Sequence, residues 1–246
     1  MTNHTCLNCN RQTSGNFCSN CGQKTSTHRY SVKDFFAHDF VLGIFHFDSG
    51  FFYTIKELFT RPGHSVREFI KGKRVKHFNY FTLVILLLTL IYFLSKWAKV
   101  DFTEFLNKES VSGLSKVYKD YAKIANFLIV PIFALYSYFI FRKTKQNYTE
   151  NLILNIFLLA GMVVIRIPIY FSLLFPISVD FFTLVNITCT ILTLIYIFVF
   201  FYQYFKAFSF SKATLVRKVI IISIAIIATK QGVNMLVNQF GIHFLK

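Results

Sequence analysis

Five long apolar runs constrain this chain more than any other feature. They lie near 78–97, 124–141, 152–175, 181–205 and 219–237. Each is close to the roughly 20 residues a helix needs to cross about 30 Å of hydrocarbon. Lipid offers no water to a bare peptide group, so a spanning segment must satisfy its backbone internally, as a helix does. The expected fold class is an all-α membrane protein, a five-span transmembrane helix bundle. Tyr80, Tyr92, Trp97, Tyr136, Tyr138 and Tyr202 fall towards the ends of the runs, as interfacial aromatic belts do. Composition agrees: 54% of the 246 residues are hydrophobic and Phe alone occurs 32 times, clustered in the runs.

The net charge is +16, and many of the charges flank apolar runs, which points to a membrane surface over nucleic acid. Lys71, Lys73, Arg74 and Lys76 precede the first run. Arg142, Lys143 and Lys145 follow the second, and Lys206, Lys212, Arg217 and Lys218 follow the fourth. These three sides coincide if the N-terminus is cytoplasmic and the C-terminus outside. The loop at 176–180 carries no positive charge and falls outside. The segment 98–123 runs against the trend, with five lysines diluted by Asp101, Glu104, Glu109 and Asp120. Residues 1–33 have no apolar core of a signal peptide, so export is not expected. A multi-pass membrane protein with its N-terminus in the cytoplasm is the resulting localisation.

Residues 1–27 form a separate small module. Cys6 and Cys9 make one CxxC, Cys18 and Cys21 another, with Ser14-Gly15-Asn16 as a hairpin turn between them. Two residues between thiolates let both sulfurs of a tight knuckle reach one tetrahedral ion at about 2.3 Å, and Gly22 suits the turn behind it. A four-cysteine zinc ribbon is expected. Four thiolates close the coordination sphere, so the Zn2+ is structural and supplies folding energy to a module with almost no core. Arg11 and Lys24 are the only bases beside the knuckles, too few for a nucleic-acid surface.

Residues 28–77 join the ribbon to the spans. Val32, Phe35, Phe36, Phe40, Val41, Ile44 and Phe45 fit an amphipathic helix that Ser31 would cap. Phe51, Phe52, Ile55, Leu58 and Phe59 make a second helical face, and Val66, Phe69 and Ile70 a third, short one after Arg61-Pro62-Gly63. Such helices lie in the membrane interface or pack on one another and on the spans. Lys71, Lys73, Arg74 and Lys76 form a basic collar suited to membrane-surface contact. His38, Asp39, His46, Asp48, His64 and His77 follow no ligand spacing, and ordinary interfacial or capping roles suit them better than a second metal.

Charge inside a membrane is costly and marks a candidate site. Arg166, with Pro168 beside it, lies in the third run and Lys230 in the fifth, both in the outer half. No acid lies at matching depth. The pair suits an anionic ligand such as a lipid phosphate; each would otherwise snorkel to the headgroups or bond backbone carbonyls. Asn151, Asn155, Asn186, Thr188, Thr190 and Thr193 read as interhelical hydrogen bonds. Cys189 reads as packing. No HExxH, GxSxG, P-loop or dinucleotide fingerprint occurs and no intramembrane carboxylates pair, so neither catalytic residues nor enzyme activity are expected.

The ribbon pattern Cys6, Cys9, Phe17-Cys18 and Cys21-Gly22-Gln23 leads into Asp48-Ser49-Gly50-Phe51, Thr54, Leu58, Arg61-Pro62-Gly63 and Ile70-Lys71-Gly72-Lys73-Arg74. Over 6–80 this resembles the bacterial family catalogued as domain of unknown function 3667. The resemblance implies a membrane protein with a cytoplasmic zinc ribbon and implies no activity. In that family a proline often follows the GKR element; Phe78-Asn79-Tyr80 has none, so entry into the first span differs here. The functional expectation is a membrane-anchored interaction, scaffold or sensor protein. Its partners would be membrane lipids and a cytoplasmic protein, with no nucleic acid. The alternative is a transporter or lipid-handling protein using Arg166 and Lys230.

Overall fold

The computed structural model describes residues 4–31, 50–98 and 128–244, with side chains as far as 236. A two-stranded antiparallel sheet, β1 (His4–Thr5) and β2 (Gln12–Thr13), opens the chain. Seven α-helices follow among the described residues: α1 (Gly50–Thr60), α2 (Pro62–Ile70), α3 (Tyr80–Trp97), α4 (Leu128–Ile140), α5 (Tyr148–Ser172), α6 (Val179–Phe205) and α7 (Lys212–Phe244). The fold is a nearly all-α membrane bundle. Four helices are long and apolar enough to cross a bilayer: α3, α5, α6 and, over Lys212–Leu236, α7. The second of the five expected spans is described only over the shorter Leu128–Ile140. The helix expected to begin at Val32 and the segment at 99–123 lie outside the described residues.

The spans α3, α5 and α6 each start on a side chain that caps them. The Asn79 side chain accepts from the backbone N–H of Phe81 (2.9 Å) and of Thr82 (3.3 Å), so an asparagine cap makes the entry into α3. Asn147 and Glu150 form a reciprocal capping box on α5: Asn147 Oδ1 accepts from Glu150 N (2.8 Å), and Glu150 Oε2 from Asn147 N (2.9 Å). Ser178 caps α6.

Helix α5 is the central post. Ile153, Leu154, Ile156, Phe157, Leu158, Leu159, Ala160 and Met162 are all buried, because α3, α6 and α2 pack around it. A helix apolar all round is one enclosed by others. By contrast Leu184, Ile187, Ile191 and Ile195 of α6, and Ile220, Ile221 and Ile224 of α7, stand exposed, the side a bilayer would cover.

The polar residues of the spans sort by partner. Asn155 Nδ2 donates to Ser137 Oγ (2.9 Å) and so links α5 to α4, as an interhelical bond should. Thr190 and Thr193 instead donate to carbonyls of their own helix, those of Asn186 (2.8 Å) and Cys189 (2.7 Å). A short hydroxyl side chain on a helix reaches the carbonyl four residues back more easily than a neighbouring helix.

The starts of α3, α5 and α7 and the ends of α4 and α6 share one end of the bundle. Lys218 near the start of α7 donates to the Ile140 carbonyl at the end of α4. Arg67 of α2 donates to the Gln203 and Tyr204 carbonyls at the end of α6. Just past the ribbon, Arg29 pairs with Glu150 at the start of α5. The three basic loops, at 71–76, 142–145 and 206–218, therefore lie at the ribbon's end.

Candidate metal centre and the joint beneath it

The two CxxC knuckles repeat one another in backbone detail. Asn10 N–H donates to the Cys6 carbonyl (2.9 Å), and Gly22 N–H to that of Cys18 (2.8 Å). Cys6 N–H donates to Arg11 O (2.9 Å), and Cys18 N–H to Gln23 O (2.8 Å). The residue after each knuckle is left-handed, Asn10 at φ 59° and Gly22 at φ 74°, a conformation asparagine and glycine tolerate. The knuckles thus bring four sulfurs to a common point.

Those sulfurs fit a metal. The Sγ atoms of Cys6, Cys9, Cys18 and Cys21 all lie within 4.8 Å of one another. Cys6 and Cys21 are 3.6 Å apart, and Cys9 and Cys18 3.5 Å. A tetrahedral ion with sulfur at about 2.3 Å needs sulfur–sulfur edges of about 3.8 Å, whereas a disulfide needs about 2.05 Å; the four thiols are free. Local electrostatics favour thiolates on one side. The Arg11 backbone N–H and the side chains of Asn20, Cys18 and Cys21 bring Cys9 down to about 6, and the Gln23 N–H leads in lowering Cys21. Burial pushes Cys6 up to about 11, so a cation is what the site needs to ionise that thiol as well.

The ribbon docks on the segment that follows α2. Gln23, next to the second knuckle and 4% exposed, donates from Nε2 to the Gly72 carbonyl (2.7 Å), and its Oε1 accepts from Arg74 N–H (3.4 Å). Gly72 is at φ +110°, and a Cβ there would also lie 2.7 Å from Leu7 Cδ1 of the ribbon. Arg74 lays its guanidinium over the Tyr30 ring (3.7 Å) and donates to the His28 carbonyl (2.9 Å). Tyr30 is buried between Phe69 and Tyr80, and its carbonyl accepts from Asn147 Nδ2 (2.7 Å). Arg29 makes a bidentate pair with Glu150 (2.6 and 2.7 Å) and donates to Lys145 O (2.7 Å). Sequence reasoning missed Arg29, Tyr30 and Glu150. The one available signal was Glu150, a lone acid three residues after Asn147.

Below the ribbon, α1 and α2 form an elbow wedged against α6. A Cβ on Gly63 would overlap the backbone N of Tyr204 and O of Phe200, so α2 touches α6 backbone to backbone. Arg67 then caps α6, donating to the carbonyls of Gln203 (2.8 Å) and Tyr204 (2.9 Å), where a cation also opposes the helix dipole. The other side of the elbow holds the start of α3. Thr54 Oγ1 accepts from Phe78 N–H (2.8 Å), and a Cβ on Gly50 would lie 2.8 Å from Lys76 O. Arg61 pairs with Glu57 (2.7 Å) and Glu68 (3.5 Å).

Other candidates fall as follows. In the collar, Lys71, Lys73 and Lys76 are exposed, Lys73 facing Glu68 (3.3 Å), while Arg74 turns into the ribbon. His64 bonds Arg67 (2.6 Å) and His77 packs edge-on against Tyr53 and Phe69; neither joins a metal cluster among the described residues. Burial brings His77 down to about 4. His38, Asp39, His46 and Asp48 lie outside the described residues. Arg166 and Lys230, on α5 and α7, are both half-buried.

Residues 48–93 match the model of a family described as a protein of unknown function (DUF3667). The match spans α1, α2, the Gly72–Arg74 turn and most of α3, and stops short of the ribbon. Gly50, Thr54, Gly63, Gly72 and Arg74, which build the joint, lie inside it. No curated protein and no solved structure matches the chain.

Proposed function

We propose that the chain is a non-enzymatic, membrane-anchored interaction protein whose zinc ribbon and joint form one docking platform at the cytoplasmic face of a bacterial inner membrane. The observation that carries this reading is the clamp of Gln23, Arg74, Tyr30 and Arg29. A ribbon on a loose tether would leave the spans a mere anchor. A ribbon bonded to the joint presents a fixed surface and passes its state to the helices. Zn2+ suits the four thiolates, and reducing cytoplasm would keep them free. Phe17 on the ribbon (62% exposed) offers an apolar contact to a protein partner. Phe52 (80% exposed) on α1 and the exposed Lys71 and Lys76 offer apolar and basic groups to lipid headgroups.

The test is affinity capture with the full chain in detergent. The wild type should recover a partner that is lost from Phe17→Glu, which leaves the metal ligands intact, and from Cys6→Ser/Cys9→Ser. Identical recoveries from all three would reject the reading.

A further inference from the structure

The start of α7 has two faces of different character. Leu215, Val219, Ile222 and Ile226 are buried against the bundle. Lys218 also turns inward. It donates to the Ile140 carbonyl at the end of α4, and its ammonium lies over the rings of Phe141 (5.6 Å) and Phe210 (5.8 Å). The fold thus uses Lys218 but not the other two bases of this stretch, Lys212 and Arg217, which stay exposed on the outward face.

That face carries an open cavity of about 450 Å³, lined by Lys212, Ala213, Val216, Arg217, Ile220 and Ile221. Small-molecule sites occupy roughly 300–1,000 Å³. The lining is graded along the helix. Lys212 opens it at the ribbon's end, Arg217 follows, and Ile220 and Ile221 close it; the exposed Ile224 continues the apolar track one turn further. From Lys212 to Ile221 a helix rises about 14 Å at 1.5 Å per residue, the depth of one leaflet of a 30 Å core. A bilayer around α7 meets the cations with its headgroups and the isoleucines with its chains.

Neither cation is balanced from within the chain. Among the described residues neither makes an ion pair; those resolved lie on Arg29, Arg61 and Lys73. After Asp180 the sequence has no acidic residue, so neither α7 nor the end of α6 offers a carboxylate.

We propose that this face of α7 seats one anionic phospholipid of the leaflet at the ribbon's end. Arg217 grips two oxygens of the phosphodiester in a fork, Lys212 adds a compact point charge, and an acyl chain follows Ile220, Ile221 and Ile224. A soluble anion would meet the two cations and leave the apolar track bare, whereas a lipid matches both parts of the lining. The site is separate from the ribbon platform and requires only that α7 lie in a bilayer.

The experiment uses the full chain in detergent. Native mass spectrometry measures retention of phosphatidylglycerol against phosphatidylcholine by the wild type and three variants. Lys212→Gln/Arg217→Gln removes the charges. Ala213→Trp keeps both cations and fills the cavity from an exposed position. Arg142→Gln/Lys143→Gln removes the same charge at the same end of the bundle but outside the cavity lining. The wild type should retain phosphatidylglycerol about tenfold better or more. The first two variants should lose most of that preference and the third should keep it. A wild type without preference overturns the proposal. So does an Ala213→Trp variant that keeps the preference, since the cavity is then not the seat. Equal losses from all three variants also overturn it, because the lipid then answers to overall charge. Should Lys212→Gln/Arg217→Gln fail to purify, the comparison of Ala213→Trp with Arg142→Gln/Lys143→Gln decides alone.

Discussion

At the scale of single residues, the joint depends on contacts that leave no room for a side chain. Gly63 is the clearest case, since any Cβ would meet the backbone of α6 at Phe200 and Tyr204. Gly63→Ala should cost about 2–4 kcal/mol, because rigid backbone cannot yield as a side chain would; the shift in melting temperature measures it. His77 makes a pH prediction. Its pKa falls from 6.5 unfolded to about 4 folded, chiefly through burial. The neutral form is therefore favoured by folding: stability is full above pH 6.5 and is lost as pH falls towards 4, where the unfolded chain takes up a proton that the folded chain refuses. Thermal melts from pH 7 to pH 4 should show that loss, and His77→Phe should reduce it. An unchanged slope in the variant would mean that other groups carry the titration.

At the scale of elements, the ribbon was readable because its chemistry is local. Two CxxC pairs eight residues apart specify four converging thiols, and the structure brings their Sγ atoms within 4.8 Å of one another. The dock was not readable. Arg74 sits in a run of bases and resembles its neighbours in every local respect, yet its guanidinium stacks on Tyr30, 44 positions earlier in the chain. Nothing in residues 71–76 marks one base as facing inward; that follows from Gly72, whose left-handed backbone turns the segment towards Gln23. The same limit hid the role of Gly63, which depends on a helix end about 140 residues away. Gln23→Ala should therefore loosen the ribbon without emptying its metal site. It removes the short buried bond to Gly72 O and the longer one from Arg74 N–H, and leaving the Gly72 carbonyl unsatisfied costs about 1–3 kcal/mol. The check is faster proteolysis between ribbon and bundle, with metal content unchanged at one ion per chain. Loss of metal in this variant would mean that docking and metal binding are one event.

At the scale of the whole molecule, the apolar runs gave the bundle and the lysines and arginines gave its polarity. The structure places the three basic loops and the ribbon at one end. If that end faces the cytoplasm, single cysteines introduced at Lys143 and Lys212 into a chain whose native thiols are protected should be shielded from an impermeant reagent in intact cells, and one at Ile177 should react. The reverse pattern would invert the topology. The central claim is that the metal-bound ribbon and the joint are one mechanical unit. It is tested most directly by hydrogen exchange on the full chain before and after chelation. The account predicts that removing the metal exposes the amides of residues 4–27 and also those of 72–74 and the start of α5 near Glu150. If the ribbon melts while those joint amides keep their protection, the ribbon is a passenger and the account is wrong.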